Sequence, residues 1–153
     1  MHENEEYEQK LIETIHKAEN SDSNLSHLTP LEILKNIFGF NGFKPNQLEI
    51  INRILRNEGN TLGIMPTGGG KSLCFQIPAL ILPNLTIVVS PLIALMKDQI
   101  DNLNNKNIYS AFFINSIISD NTKEMILELI KRKKVKLLYI APESLKSEKV
   151  LNA

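Results

Sequence analysis

The chain has 153 residues, enough for one domain, and 42% of them are hydrophobic, which is too many for a disordered polypeptide. Its formal net charge is zero, but the first 22 residues hold seven acidic side chains against two lysines, so the remainder is mildly basic. The single cysteine, Cys74, excludes an internal disulfide, and no apolar run approaches the ~20 residues that a membrane span needs. We therefore expect an intracellular protein without a membrane partner, whose basic body suits a polyanion.

Three helices are predicted in the first 60 residues. The second of them begins with a capping box, in which Thr29 and Glu32 each satisfy a backbone N–H of the other. Gly39 and Gly59 end the second and third helices, because glycine readily adopts the left-handed conformation found after a helix. We predict these helices over residues 1–20, 30–38 and 45–58.

Beyond residue 60, short apolar runs alternate with helix-like segments about ten residues long. This alternation predicts βαβ units, and hence an α/β fold in which a parallel sheet is flanked by helices and preceded by the N-terminal helices. Ligands of such sheets bind beyond the carboxyl ends of the strands. We predict strands over residues 61–65, 85–90, 108–114 and 136–141, with helices over residues 71–82, 92–103 and 121–132 between them.

Residues 65–72, with the sequence MPTGGGKS, predict a phosphate-binding loop between a strand and a helix. Three consecutive glycines leave the backbone free to curl, so that several N–H groups can point at phosphate oxygens. Lys71 would reach the β- and γ-phosphates and the hydroxyl of Ser72 would bind Mg²⁺, which makes these two residues the predicted catalytic pair. The predicted ligands of ATP in this loop are Thr67, Gly68, Gly69, Gly70, Lys71 and Ser72.

Two features of this loop allow another interpretation. The usual pattern has a glycine where Met65 stands, and a glycine-rich turn without any ligand can also join a strand to a helix. Such a turn, however, does not require Lys-Ser directly after the glycines. We therefore favour the phosphate-binding interpretation, with ATP and Mg²⁺ as cofactors.

Four segments resemble, in the expected order, motifs of the RecQ-type DNA helicases. They are residues 38–47 for motif 0, 65–80 for motif I, 88–99 for motif Ia and 138–143 for the strand end that follows. That family carries methionine or a similar residue at the position of Met65. The resemblance runs from about residue 28 to 147. It implies an N-terminal acidic extension over residues 1–27 and an incomplete RecA-like ATP-binding lobe over residues 28–153.

Motif 0 contains the residues expected to recognise adenine. A glutamine amide can donate to and accept from the N6/N7 edge of adenine, which predicts Gln47 as the base reader. By resemblance, Phe40 would stack on one face of the adenine and Lys44 would lie on the other. The family usually has arginine at the position of Lys44, and lysine stacks less well, so we expect weaker adenine binding. Ordinary packing at a helix junction is the alternative role for Phe40 and Gln47.

Motif Ia predicts a contact with single-stranded DNA. The resemblance implies that Ser90 and the helix after Pro91 hold a phosphate of the DNA backbone, with Lys97 as a helper. A helix cap and a solvated surface lysine are the alternative. Farther along, the cluster from Lys131 to Lys136 is typical of a solvated helix end, and we favour that interpretation over DNA contact. The three histidines lack metal-ligand spacing, so no zinc site is expected.

The resemblance also identifies parts of a helicase that this chain lacks. Such enzymes use an Asp-Glu pair to fix Mg²⁺ and orient water, and a second lobe to complete the site. No Asp-Glu dipeptide occurs among the 153 residues. We expect an N-terminal fragment of an ATP-dependent 3′→5′ DNA helicase of DNA repair and recombination, cytoplasmic in a bacterium and nuclear in a eukaryote. It would bind ATP and single-stranded or forked DNA, but would scarcely hydrolyse ATP.

Two other functions are compatible with the pattern. One is a non-catalytic module that binds nucleotide or nucleic acid. The other is a DEAD-box RNA helicase, to which Met65, Gly69 and Ser72 fit less well. An incomplete lobe would also leave an open sheet edge, from which we predict marginal stability and a tendency to aggregate.

Overall fold

The computed structural model describes residues 2–22 and 24–146, without the side chains of His2 and Glu3. Contacts divide the chain into two compact units. We call residues 24–83 the helical unit. The N-terminal segment together with the chain from residue 84 onward is the sheet unit. Within the described residues, no helix is long and apolar enough to cross a membrane.

The helical unit contains three helices. They are α2 (Pro30–Asn36), α3 (Gln47–Leu55) and α4 (Lys71–Ile81), and α4 packs against both of the others. The predicted capping box is confirmed, because the N–H of Thr29 donates to Glu32 Oε2 at 2.8 Å and the N–H of Glu32 donates to Thr29 Oγ1 at 3.3 Å. The core of the unit consists of fully buried aliphatic side chains, among them Ile33, Leu34, Ile51, Ile77 and Leu80.

Several helix boundaries differ from the prediction by one to three residues, and α3 and α4 show why. Helix α3 begins at Gln47 and not at Pro45, because Asn46 adopts a left-handed backbone with φ of 69° and cannot continue a helix. Helix α4 continues through Pro78 and ends at Ile81. A proline in that position removes one helical hydrogen bond, and the following turn still closes through the N–H of Leu82, which donates to the carbonyl of Pro78.

The predicted strand over residues 61–65 is wrong. The structure leaves this segment outside any strand, with Leu62 and Ile64 exposed by 87% and 85%. Apolar alternation alone does not make a strand, since the backbone groups of a strand need a neighbouring strand for their hydrogen bonds. In the described part of the helical unit there is none. Instead the segment lies against α3, so closely at Gly63 that an added Cβ would sit 2.9 Å from Ile50 Cδ1.

The sheet unit has a three-stranded parallel sheet, as the α/β prediction required. Its strands are β1 (Thr86–Val89), β2 (Ala111–Ile114) and β3 (Leu137–Ile140), in the order β1-β3-β2. The register pairs Leu137 with both Thr86 and Ala111. Three of the four predicted strands are therefore confirmed, each slightly shorter than expected. Helix α5 (Ile93–Asn104) joins β1 to β2, helix α6 (Asp120–Lys131) joins β2 to β3, and a 3-10 helix (Pro142–Lys146) follows β3.

The two edges of the sheet are covered differently. Every residue of β2 and of the central β3 is buried, whereas β1 leaves Ile87 and Val89 about half exposed. Because the chain passes from β1 over β3 to β2 and then returns, right-handed connections place α5 and α6 on opposite faces. Edge strand β2 therefore needs a third element to bury it from the side.

That element is the N-terminal helix α1 (His2–Asn20), whose predicted helical range is confirmed. It buries Leu11, Ile15 and Ala18 and sets the ring of Tyr7 against that of Phe113 in β2, with centroids 5.4 Å apart. It also bonds to both flanking helices, through Lys10 to Asp101 of α5 and through Glu8 to Thr122 of α6, at 2.8 and 2.7 Å. Helix α1 is thus part of the sheet unit's core.

Candidate functional site

The phosphate loop, residues 65–72, has the backbone that its glycines predict. Gly68 and Gly70 both adopt left-handed conformations, with φ of 76° and 78°. At Gly69 the constraint is space, since a Cβ would lie 2.8 Å from the carbonyl oxygen of Pro66, to which the Gly69 N–H donates. Helix α4 begins directly after the last glycine, so Lys71 and Ser72 occupy its first two positions. Lys71 is exposed and Ser72 is partly buried.

The end of motif 0 is bonded to this loop. The buried side chain of Gln47 accepts the N–H of Lys44 at 2.7 Å and donates from Nε2 to the carbonyls of Gly70 and Gly69, at 3.0 and 3.5 Å. Lys44 Nζ donates to the carbonyl of Gly68 at 2.7 Å. Three consecutive carbonyls of the loop are therefore held by two side chains of motif 0.

These bonds determine where the N–H groups of the loop can point. In a planar trans peptide the C=O and N–H are directed to opposite sides, so a carbonyl turned toward motif 0 turns the following N–H away from it. The N–H groups of Gly70 and Lys71 are thus left facing away from Gln47, at the amino end of α4. That is the geometry of an anion-binding loop, and the exposed ammonium of Lys71 adds positive charge beside it. A triphosphate fits the residues present.

The predicted base-reading atoms of Gln47 are already engaged. Both the oxygen and the nitrogen of its amide bond to protein, and its side chain is only 1% exposed. An adenine could reach it only by replacing one of these bonds. Lys44 is likewise turned to the loop, whereas Phe40 is 53% exposed. The adenine-binding roles of Phe40, Lys44 and Gln47 stay predictions.

Met65, the departure from the usual loop pattern, has a packing role. Its sulfur lies 3.7 Å from Sγ of Cys74, which is buried in the first turns of α4. Burial raises the pKa of the Cys74 thiol, so the group stays protonated and is not a nucleophile. Cys74 is thus a small buried residue of the helical unit. Among the described residues, no group of three or more histidine, cysteine or acidic side chains could hold a metal ion. A Mg²⁺ there would depend on Ser72 and on the phosphates themselves.

Motif Ia lies in the sheet unit, at the carboxyl end of β1. Ser90 closes the ladder to β3 through its N–H, which donates to Ile140 at 3.1 Å, and its hydroxyl accepts the N–H of Leu92 at 3.3 Å. Pro91 is exposed at the start of α5. Since the strands are parallel, the turns after β2 and β3 share this edge of the sheet, beyond which ligands of such sheets bind. The DNA-binding roles of Ser90, Pro91 and Lys97 stay predictions.

Lys97 is held by a residue that the sequence did not reveal. Its Nζ lies 4.2 Å from the centre of the Tyr7 ring, a cation–π arrangement that directs the side chain toward α1. Tyr7 lies outside the four motifs, and only its place in the acidic helix brings it to α5. No local pattern in the sequence pairs two residues so far apart.

The basic cluster at the end of α6 is only partly the solvated helix end that was favoured. Lys131 and Lys133 are exposed, but Lys134 donates to the carbonyl of Ser21 at 3.1 Å. Arg132 approaches Glu19 at 3.4 Å. Lys136 is buried, which lowers its pKa, and the charge of Asp22 opposes that shift. Lys134 and Arg132 therefore bond the end of α6 to the carboxyl end of α1.

Comparisons with known proteins agree with the motifs. Residues 44–152 match the model of the DEAD/DEAH box helicase family. An ATP-dependent DNA helicase RecQ of Synechocystis sp. is 43% identical over 121 residues, which are 79% of this chain and 25% of that protein. A RecQ of Bacillus subtilis is 47% identical over 115 residues, covering 75% of this chain and 19% of that protein. These similarities confirm the resemblance on which the motif assignment depends.

A plant relative extends the match toward the N-terminus. The ATP-dependent DNA helicase Q-like 4B of Arabidopsis thaliana is 40% identical over 158 aligned positions, covering 96% of this chain and 14% of that protein. For this relative the alignment therefore includes most of residues 1–27, which lie before the four motifs. The chain spans a quarter or less of the length of these three proteins.

Proposed function

Since the chain belongs to the DEAD/DEAH box helicase family, we propose that it binds Mg·ATP through the phosphate loop and motif 0, as part of an ATP-dependent DNA helicase of the RecQ type. The observation that carries the proposal is the set of bonds from Lys44 and Gln47 to the carbonyls of Gly68, Gly69 and Gly70. A loop held in this way presents its N–H groups for phosphate before the nucleotide arrives, which reduces the entropy lost on binding.

Each residue of the site has a part in binding. The N–H groups of Gly70 and Lys71 would donate to phosphate oxygens, and the Lys71 ammonium would neutralise charge on the β- and γ-phosphates. The hydroxyl of Ser72 would contribute one ligand to Mg²⁺. Phe40 would stack on the adenine, and Gln47 would exchange a loop bond for the base edge. Hydrolysis needs a carboxylate that orients water, and no Asp-Glu dipeptide is present to supply it, so turnover should be very slow.

The nucleic-acid part of the proposal rests on motif Ia. Ser90 and the N-terminus of α5 would hold a phosphate of single-stranded DNA, at the edge of the sheet where ligands bind. Movement in the 3′→5′ direction, action on forked DNA, and a role in repair or recombination are proposals for the whole protein. Such a role would place it in the cytoplasm of a bacterium or the nucleus of a eukaryote.

The experiment is a calorimetric titration with Mg·ATP of the wild type, Lys71→Ala and the control Lys35→Ala, which removes an exposed lysine of α2 in the same unit. Loss of one charge-assisted contact should weaken binding about tenfold or more in Lys71→Ala and leave Lys35→Ala unchanged. Equal affinity of all three proteins, or no binding by the wild type, would refute the proposed site.

A further inference from the structure

Helix α1 runs alongside α5 in a fixed register. Going down both helices, Tyr7 meets Lys97, then Lys10 meets Asp101 at 2.8 Å, then the hydroxyl of Thr14 accepts a hydrogen bond from Asn104 at 3.4 Å. The order of these contacts means that the two helices point the same way. The amino end of α1 therefore lies beside the amino end of α5, next to motif Ia.

This register separates two residues of α5 that would otherwise pair. Lys97 and Asp101 are four positions apart, the spacing at which a lysine and a carboxylate attract each other along a helix. Lys10 instead forms an ion pair with Asp101, and the ring of Tyr7 forms a cation–π contact with Lys97. Across the described ranges, Lys97 makes no ion pair. Among the side chains that the structure describes, its positive charge is therefore held in place without an ion-pair partner.

Tyr7 is a neutral partner for Lys97. Its ring rests on the buried Phe113, which fixes its orientation. Burial of the phenol and the negative charge of Asp101 both raise the pKa of Tyr7, so the ring carries no charge at any physiological pH. A neutral π face attracts an ammonium and leaves its N–H donors to other ligands.

We propose that Tyr7 is a positioning residue for Lys97, which it holds ready to contact a phosphate of single-stranded DNA. Lys97 lies four residues into α5, about 6 Å along the axis from the first residue of that helix, near the place where Ser90 and Pro91 would hold DNA. The inference rests on the proposed function, because it needs DNA at motif Ia. It extends the DNA site to helix α1, which precedes all four motifs in the chain.

The test measures the affinity of the full chain for a fluorescent oligothymidylate by anisotropy, at four salt concentrations. Lys97→Ala should weaken binding and reduce the slope of log K against log salt by about 0.7, the value for one phosphate contact on a single strand. Tyr7→Leu should weaken binding by about twofold to fivefold, a factor typical of one cation–π contact, with a smaller slope as well. Tyr7→Phe keeps the ring and should bind as the wild type does.

Two further variants separate positioning from general damage to the fold. Lys10→Ala leaves Tyr7 intact but frees Asp101 to pair with Lys97, and should weaken DNA binding in the same direction as Tyr7→Leu. Tyr109→Leu removes a comparable ring of the same unit, whose centroid lies 5.3 Å from Nζ of Lys17. This variant should change neither the affinity for DNA nor the salt slope.

The possible failures are distinguishable. If the wild type does not bind DNA, the proposed function fails and the inference fails with it. If Lys97→Ala weakens binding while Tyr7→Leu and Lys10→Ala leave affinity and slope unchanged, the inference alone is overturned. Equal weakening by Tyr109→Leu would also overturn it, because the effect would then be one of fold.

Discussion

Gly70 is one of the residues through which motif 0 is bonded to the phosphate loop, and Gly70→Ala tests that contact. The residue has φ of 78°, and its added Cβ would collide with Nε2 of Gln47. A left-handed alanine costs about 1–2 kcal/mol, and a buried amide that loses its acceptor costs about 1–3 kcal/mol more. We therefore expect Gly70→Ala to lower the free energy of unfolding by about 2–5 kcal/mol, measured by urea denaturation.

A matched control and a second background make the prediction specific. Gly42 lies in the same unit, and an added Cβ there would meet nothing within 4 Å, so Gly42→Ala should have little effect. In a Gln47→Ala background the collision is gone, and Gly70→Ala should then cost only the backbone part, about 1–2 kcal/mol. If Gly70→Ala costs the same free energy in both backgrounds, or no more than Gly42→Ala does, the contact between Gly70 and Gln47 does not stabilise the protein.

Three further predictions concern the sheet unit. Leu11→Ala should destabilise the protein by about 2–5 kcal/mol in urea, because it empties a buried site under α1, and an undiminished stability would show that α1 is not part of the core. Hydrogen bonds from Ser119 and Thr122 lower the pKa of Glu8. The ionised Glu8 therefore stabilises the folded protein above the ordinary carboxyl pKa, and this stabilisation is lost as the pH falls through the lowered pKa. The wild type should be more stable than Glu8→Gln at pH 7, by less than about 1 kcal/mol because the group is so exposed. This difference should shrink from pH 7 to pH 3 in thermal melts, and a constant difference would mean that the Glu8 carboxylate does not stabilise the fold. Ile87→Lys places a charge on the half-exposed edge strand β1 and should slow aggregation in light scattering with a small change in Tm; unchanged aggregation would mean that this edge is not the cause.

Local signals were enough to predict several elements. The capping box of Thr29 and Glu32 spans four residues, so it specifies the start of α2 without any contact from distant parts of the chain. The left-handed glycines at positions 68 and 70 likewise follow from the loop's own composition. Alternating strands and helices predicted the parallel sheet for the same reason, since hydrophobic periodicity is a local property.

Features that depend on distant partners were not predictable in this way. Residues 61–65 have the composition of a strand, but composition does not supply the neighbouring strand on which pairing depends. The bonds from Gln47 to the loop join residues 22 and 23 positions apart, and Tyr7 meets Lys97 across an even longer separation. Motif comparison identified Gln47 and Lys97 as candidates, yet only the packing showed which groups each of them touches.

If motif 0 and the phosphate loop form one nucleotide site, the protein should prefer ATP to GTP, which a competition titration measures. A fluorescent ATP analogue with Mg²⁺ is bound to the wild type and to Gln47→Ala, and is then displaced with ATP or GTP. We expect ATP to displace the analogue from the wild type at lower concentration than GTP does, and Gln47→Ala to lose this preference and bind the analogue more weakly. Equal displacement by both nucleotides, or an unchanged preference in Gln47→Ala, would show that motif 0 does not form part of the nucleotide site.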